Sequence, residues 1–264
     1  MTIQPTIFLS HGAPNLILHD SPARDFLIHM AEGLEKPDAI VTVSAHFETA
    51  RPAVVADEHP EMIYDFGGFE RELYQIVYPA PGSREIAEKV AAALGQAGLG
   101  PEIVGERGFD HGVWVPLKLI YPDAYIPVVQ LSVQPGQSAA HHIRLGRALQ
   151  ALRRQNILVI GSGSFTHNLR AVFTAGGLAP VDAEVPAWVS DFADWMGEAI
   201  DQGDEEVLAS YRERAPHAVR NHPTDEHLMP LYAAIGAAGK DWRATRLHSS
   251  HQYGALMLDA WRFD

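Results

Sequence analysis

Short apolar runs alternate with longer amphipathic segments along most of this chain. The short runs are rich in branched and aromatic side chains, as buried strands are. They cover residues 6–9, 39–43, 126–131 and 157–160, with residues 255–258 as a candidate last strand. The amphipathic segments predict helices, and Ser21 and Pro22 supply an N-cap and a first-turn proline for the first of them. They cover roughly residues 22–33, 83–98, 139–155, 186–202 and 226–238.

Strands that are joined by helices of this length need crossover connections. The pattern therefore predicts an α/β fold with a central, mostly parallel (mixed) sheet and helices on both faces. No internal repeat, low-complexity tract or linker-like stretch interrupts it, which favours a single domain over residues 1–264. Ligands of such folds bind beyond the carboxyl ends of the strands, so we expect the functional residues there.

The composition excludes several classes of function. The chain has 33 acidic and 20 basic residues and a formal net charge of −13, which argues against a nucleic acid or an anionic membrane as a partner. It has no cysteine, which excludes disulfides, thiolate metal sites and cysteine nucleophiles. No apolar run approaches the ~18 residues of a membrane span, and no secretory signal is recognisable. We therefore expect a cytoplasmic protein whose soft metal ligands are its 14 histidines.

Three predicted strands are followed within a few residues by a histidine, namely His11, His46 and His167. If these strands are parallel neighbours, the three imidazoles open onto one edge of the sheet. A single histidine near a strand end is usually a packing residue, but convergence favours a metal site, since neutral imidazole is the commonest metal ligand. Without cysteine, Fe(II), Mn(II) and Zn(II) are the plausible ions.

Two further histidines have notable surroundings. His111 lies in a glycine-bounded turn before an apolar helix, and His227 lies at the start of the helix predicted for 226–238, beside Glu226. Of the remaining histidines, His222 and His251 are further candidates for the site. His222 lies close to His227 in the chain, and His251 lies close to the candidate last strand at residues 255–258.

Two other segments have less specific patterns. Residues 161–164 (Gly-Ser-Gly-Ser) follow a strand and could bind an anion through backbone amides, yet they lack the lysine of a P-loop and the third glycine of a dinucleotide fingerprint. The glycine- and aromatic-rich segments 65–69 and 78–82 are either a packed surface loop or a wall for a flat aromatic substrate.

Seven strings, in this order, resemble the class III extradiol ring-cleavage dioxygenases. They are Ser10-His11-Gly12-Ala13-Pro14, Ser44-Ala45-His46, Asp65-Phe66-Gly67-Gly68-Phe69, Tyr78-Pro79-Ala80-Pro81-Gly82, Gly108-Phe109-Asp110-His111-Gly112, His167-Asn168-Leu169 and Glu226-His227. The closest branch of the family is that of the 4,5-DOPA dioxygenase-like proteins of bacteria and plants.

The resemblance implies a non-haem metal enzyme that inserts both atoms of O₂ into a catechol and breaks the ring bond beside the two hydroxyls. The expected partners are a small aromatic diol, with a DOPA-like one as a candidate, and O₂. The expected cofactor is Fe(II), with Zn(II) as an alternative occupant or native ion.

The resemblance also implies roles for individual residues. His11 and His46 match the two histidine ligands, and His227 matches the third metal-site position, with adjacent Glu226 as a competing candidate. His167 matches a histidine that is either the active-site base or a further ligand. His111 matches a histidine that contacts the substrate hydroxyl or the reacting oxygen.

Two other functions would use the same histidines. A zinc hydrolase would hold Zn²⁺ with a bound hydroxide as the nucleophile. A non-catalytic metal-binding or structural protein would have a closed site with no adjacent pocket. The dioxygenase interpretation instead requires open positions that face His111 and the loop 65–69.

Overall fold

The computed structural model describes residues 3–175 and 177–264. Its strands, in chain order, are β1 (Thr6–Ser10), β2 (Ala39–Glu48), β3 (Ala53–Val55), β4 (Glu102–Val104), β5 (Val128–Val133), β6 (Ile157–Gly163), β7 (Phe173–Thr174), β8 (Gly177–Leu178), β9 (Ala244–His248), β10 (His251–Gln252), β11 (Leu256–Met257) and β12 (Ala260–Phe263). Eight of these described strands form one sheet in the order β4-β3-β5-β2-β6-β1-β12-β9.

The centre of the sheet is parallel and its margins are mixed. Strands β5, β2, β6 and β1 run parallel to one another. On one side β12 pairs antiparallel with β1, and β9 pairs antiparallel with β12. On the other side β3 is antiparallel to β5 and parallel to β4. The predicted mostly parallel, mixed sheet is thus confirmed.

The described α-helices are α1 (Pro22–His29), α2 (Arg84–Gln96), α3 (His111–Ile120), α4 (Ala139–Leu149), α5 (Ala187–Gln202), α6 (Glu205–Ala209), α7 (Tyr211–Arg214), α8 (Ala218–Asn221) and α9 (Met229–Ala238). Turns of 3₁₀ helix extend α1 over Met30–Gly33 and α4 over Gln150–Gln155. Serine side chains cap three of the predicted helices, as the hydroxyls of Ser21, Ser83 and Ser138 accept hydrogen bonds from first-turn backbone N–H groups.

Helices cover both faces of the sheet because alternate strand residues point to opposite sides. Phe8 and Val159 pack in one core with α4 and α9. Their neighbours Ile7 and Ile160 pack in a second core with α1 and α3. No helix among the described residues has the length and apolar character needed to cross a lipid bilayer.

Two predicted elements differ from the structure. The helix expected from residue 226 begins at Met229, with Pro230 in its first turn, so Glu226 and His227 lie in the preceding turn. Proline favours this position because its missing N–H would have no partner there. The candidate last strand at 255–258 is only the two-residue β11, which pairs with β10 outside the main sheet.

A candidate metal centre beside an aromatic cavity

The carboxyl ends of three neighbouring parallel strands bring the predicted histidines together. Strands β2, β6 and β1 are adjacent, and His11 directly follows β1 while His167 lies four residues beyond β6. His46 lies within β2, which runs beyond the predicted end, in a stretch where the pairing with β5 shifts register. The edge predicted from the sequence is therefore the edge at which these side chains meet.

Three imidazoles converge on one point. The Nε2 atom of His46 lies 3.1 Å from Nε2 of His11 and 3.3 Å from Nε2 of His227. Each of the three residues offers a ring nitrogen within 4.8 Å of the others. Three nitrogen atoms in this arrangement are a donor set for a divalent transition metal.

The opposite ring nitrogen of each imidazole has a polar partner. The His11 Nδ1–H donates to the Ser162 hydroxyl (3.0 Å), whose own proton is donated to the Gly112 carbonyl. The His227 Nδ1–H donates to the Glu226 carboxylate (2.9 Å), and His46 Nδ1 lies 3.4 Å from Asp65 Oδ2. A proton on Nδ1 leaves the lone pair on Nε2, the atom that faces the centre.

Burial keeps these imidazoles neutral. It lowers the pKa of His11 and His227 well below the usual value, with the neighbouring imidazoles as further causes. Burial, followed by the charge of His111, lowers the pKa of His46 to about 3. At neutral pH the three rings are therefore in the unprotonated form that binds a metal.

Asp65 connects the centre to His111. Its Oδ1 atom accepts hydrogen bonds from the backbone N–H (3.0 Å) and Nδ1 (2.9 Å) of His111, the first residue of α3. The His111 ring lies 3.9 Å from the His46 ring, measured between centroids. Burial alone would raise the pKa of Asp65, but its hydrogen bonds to His111 and the charge of that ring lower it to about 2. Asp65 is thus an anion that contacts both His46 and His111.

A buried polar network holds the backbone at His46 in place. The Ser44 hydroxyl donates to Asp110 Oδ1 (2.7 Å), and Arg107 donates both to Asp110 Oδ2 (3.0 Å) and to the His46 carbonyl (3.2 Å). Sequence reasoning assigned no role to Asp65, Ser162 or this network. Asp65 and Asp110 do lie in two of the seven strings that resemble the dioxygenase family, and this resemblance is the only sequence signal that could assign them to the site.

His167 lies beside the three converging residues, and it forms a separate group of potential metal ligands with Glu226 and His227. Its ring stacks on the His227 ring at 3.4 Å between centroids, with 13° between the planes. Its Nδ1 atom is 4.0 Å from Glu226 Oε1. Burial is the main cause that lowers the pKa of His167 to about 4, against the opposing charge of Glu226.

The structure does not bring His222 and His251 into the centre. His222 is buried and donates from Nε2 to the Phe165 carbonyl (3.0 Å), and His251 is exposed in β10. The sequence marks both as candidates, but neither belongs to a group of potential metal ligands among the described residues.

The glycines of segment 161–164 make room for His227. A Cβ atom at Gly163 would overlap the His227 carbonyl oxygen, and one at Gly161 would overlap the Pro230 carbonyl oxygen. The Ser164 backbone N–H donates to the His227 carbonyl (2.8 Å). This segment therefore positions the turn that contains His227, which explains its glycines without an anion.

A cavity of about 310 Å³ opens beside the histidines. Phe66, Phe69, Leu169 and Leu256 form its apolar wall. The Phe66 ring meets the His111 ring edge to face, 5.7 Å away between centroids. An engineered cavity of about 150 Å³ holds benzene, so this one accommodates a substituted aromatic ring. Segment 65–69 thus lines a cavity, whereas Tyr78 of the second string is buried in the core.

Comparisons with known proteins find relatives across nearly the whole chain. The family described as the catalytic LigB subunit of aromatic ring-opening dioxygenase matches residues 5–258. The chain belongs to this family. It is 41% identical to a 4,5-DOPA dioxygenase extradiol from Beta vulgaris, over 99% of this chain and 97% of the relative. It is 38% identical to a protein of the same name from Escherichia coli K12, over 89% of this chain and 86% of the relative.

A solved structure shares the fold. An uncharacterized protein from Escherichia coli K12 superposes with a TM-score of 0.80 at 33% identity, over 98% of this chain and 99% of that one. With the family established, the chain is an extradiol aromatic ring-opening dioxygenase, and the family's dioxygenases depend on a metal. The zinc-hydrolase and non-catalytic alternatives are therefore set aside.

Proposed function

We propose that this enzyme binds Fe(II) through Nε2 of His11, His46 and His227 and cleaves the ring of a catechol with O₂. The observation that carries the proposal is the convergence of three neutral Nε2 atoms at the edge of an aromatic-lined cavity. The family match over residues 5–258 supports one catalytic domain for the whole chain.

The donor set suits the proposed ion. Fe(II) would hold the diol oxygens and supply the redox chemistry that lets O₂ react. Zn(II) would compete for the same nitrogens but has no redox chemistry, so we assign it the role of an inactive occupant. The hydrogen bond that the His227 Nδ1–H donates to Glu226 favours His227 as the third ligand and Glu226 as the group that orients it.

We assign His167 as the base that removes a catechol hydroxyl proton. The imidazole lines the cavity and its lowered pKa, about 4, keeps it neutral at pH 7. Its ring stacks on the His227 ring and is not one of the three imidazoles that converge through Nε2, which favours this role over that of a further ligand. General-base help of this kind contributes about 10²–10⁴-fold to the rate.

We assign His111 a contact with the substrate hydroxyl or the reacting oxygen. Asp65 holds its Nδ1, which leaves Nε2 as the free ring nitrogen at the cavity. Phe66, edge-on to His111, packs beside the substrate ring. In the reaction the carbon–carbon bond beside the diol breaks and both oxygen atoms of O₂ enter the product, a muconic semialdehyde, so no external reductant is consumed.

Oxygen uptake tests the proposal. Protein that is loaded anaerobically with Fe(II) is expected to consume O₂ with a catechol and to form a yellow product, whereas Zn(II)-loaded protein is expected to do neither. The measurement is an oxygen-electrode screen of a broad catechol panel, with DOPA included. The proposal is wrong if the Fe(II)-loaded enzyme takes up no O₂ with any member of the panel.

Metal analysis of variants tests the residue roles. His11→Ala and His227→Ala are expected to lose most bound metal, because each removes one of three ligands. His167→Ala is expected to retain metal while kcat falls about 10²-fold or more, as for loss of a general base. Exposed His59 provides a matched control, His59→Ala. Loss of metal from His167→Ala would instead identify His167 as a ligand.

A further inference from the structure

A second, larger cavity opens beside the one that faces the histidines. Its volume is about 740 Å³, and we call it the outer cavity. Ala13, Phe69, Leu169 and Leu256 line both cavities. A single molecule can therefore place an aromatic ring in the inner cavity and extend a substituent into the outer one.

The far wall of the outer cavity is an exposed apolar surface. Phe173 and Leu178 face each other across the β7–β8 pair, and both line the cavity. The two residues are 62% and 58% exposed. Large apolar side chains that remain exposed beside a catalytic cavity indicate a contact surface for a ligand. This wall fits an apolar chain on the substrate.

Apart from the histidines, the charged side chains that line the two cavities are acidic. Among the described residues that line them there is no lysine or arginine, and the acidic ones are Asp65 and Glu70. Asp65 already holds two histidines, which leaves Glu70 as the charged group of the outer cavity. A substrate carboxylate placed there would face this carboxylate without a lysine or arginine in the described lining to balance it.

Hydrogen bonds keep Glu70 ionised. The bond from its own backbone N–H, and then the bond from the imidazole of His19 (2.6 Å), lower the pKa of Glu70. Asn15 also approaches both carboxylate oxygens at 3.4 Å. His19 is the one titratable partner that offsets this charge among the contacts described for Glu70, and it does so only when protonated.

We propose that the outer cavity binds the substituent of the catechol substrate and selects an apolar chain that ends in an ammonium group over one that ends in a carboxylate. This inference rests on the proposed ring-cleavage function. It names the substrate class: catechols with an alkylamine chain, ahead of catechol amino acids such as DOPA and well ahead of catechol carboxylic acids.

Substrates that differ only in the chain test the charge preference. For the Fe(II)-loaded enzyme we expect kcat/KM to fall in the order dopamine, DOPA, 3,4-dihydroxyphenylpropionate. Glu70→Gln is expected to lower the ratio of kcat/KM for dopamine to that for dihydroxyphenylpropionate about 1.5- to fivefold, the range of a solvent-screened ion pair. Exposed Glu72, outside both cavities, provides the matched charge control Glu72→Gln, which should keep the wild-type ratio.

A second variant tests the apolar wall. Phe173→Ala is expected to lower the ratio of kcat/KM for 4-butylcatechol to that for catechol about tenfold, as loss of an apolar contact does. Phe173 is mostly exposed, so folding should tolerate the change. Substrate ratios that stay at the wild-type values in both Glu70→Gln and Phe173→Ala overturn the inference. If no catechol is turned over by the wild-type enzyme, the proposed function itself is wrong.

Discussion

At the scale of single residues, each imidazole of the centre is held through the nitrogen that faces away from it. Ser162, Glu226 and Asp65 contact the Nδ1 atoms of His11, His227 and His46. Such partners orient a ligand ring and select the tautomer that can donate to a metal. The preorganisation of the site thus depends on residues that would not themselves touch an ion.

Asp65→Asn tests this dependence. The amide has one acceptor oxygen in place of a carboxylate, so it cannot serve both His46 and His111 as Asp65 does. We expect metal affinity or activity to fall about 10–100-fold, the usual effect of losing such a partner. Metal titration and kcat/KM measure it.

The control for this change is Asp123→Asn at an exposed aspartate. It should retain wild-type metal affinity and activity. An Asp65→Asn enzyme that binds metal and turns over as the wild type does would show that the two histidines need no common acceptor.

The histidines themselves could be found from the sequence, but most of their partners could not. His11, His46 and His167 follow apolar runs, and that placement alone marks them. Ser162 lies in a glycine string that resembles an anion-binding loop, and only the structure shows its hydroxyl between His11 and the Gly112 carbonyl. Contacts between residues so far apart in the chain have no local signature.

At the scale of elements, buried parallel strands were predicted better than edge strands. Strands β1, β2, β5 and β6 have near-continuous apolar sequences because both of their faces are covered. Strand β9 (Ala-Thr-Arg-Leu-His) is half-exposed and lacks that signature. The antiparallel side of the sheet was therefore missed, whereas the strands that carry the site were found.

Helix α4 contains a buried histidine that makes folding sensitive to acid. His142 Nδ1–H donates to the Ser138 carbonyl (3.0 Å), and its Nε2 accepts from the Gln134 backbone N–H (3.1 Å). Burial lowers the pKa of His142 to about 4, below the value of about 6.5 for an unfolded chain. Its contribution to stability is thus present above pH 6.5 and is lost as the pH falls toward 4.

His142→Gln measures this contribution. Between pH 7.5 and pH 5 the wild type should lose about 2 kcal/mol more unfolding free energy than the variant, because below pH 6.5 the unfolded wild-type chain gains a proton that the folded one does not. Urea unfolding at the two pH values gives the difference. His59→Gln, at an exposed site, should follow the wild type. Equal pH dependence of wild type and His142→Gln would contradict the prediction.

At the scale of the whole molecule, the proposed ligands connect distant parts of the chain. His11 follows β1, His46 lies in β2, and His227 precedes α9. Residues so far apart in the chain meet only after the sheet has formed. A metal that binds them should therefore bind the folded state in preference to the unfolded one.

Metal removal tests this coupling. At a free metal concentration of about 1,000 times Kd, binding adds about 4 kcal/mol to stability, which for a chain of this size corresponds to about 10 °C in Tm. We expect a chelator to lower Tm by about that amount, and His11→Ala to show no such shift. Calorimetry with and without chelator measures it. A wild-type Tm that does not respond to the chelator would argue against ligation by these residues.

The sequence by itself determined the fold class, the strands whose ends carry the site, the histidines at those ends and, through seven ordered strings, the family. These features are local, because a few consecutive residues are enough to recognise an apolar strand that is buried on both faces and the residue that follows it. Only the tertiary structure decided that His167 stacks on His227 and that Asp65 contacts both His46 and His111. It also decided that Glu70 lines the same cavity as Phe173 and Leu178. Those contacts depend on the relative positions of separate loops at one edge of the sheet, and the packing of the whole chain sets these positions.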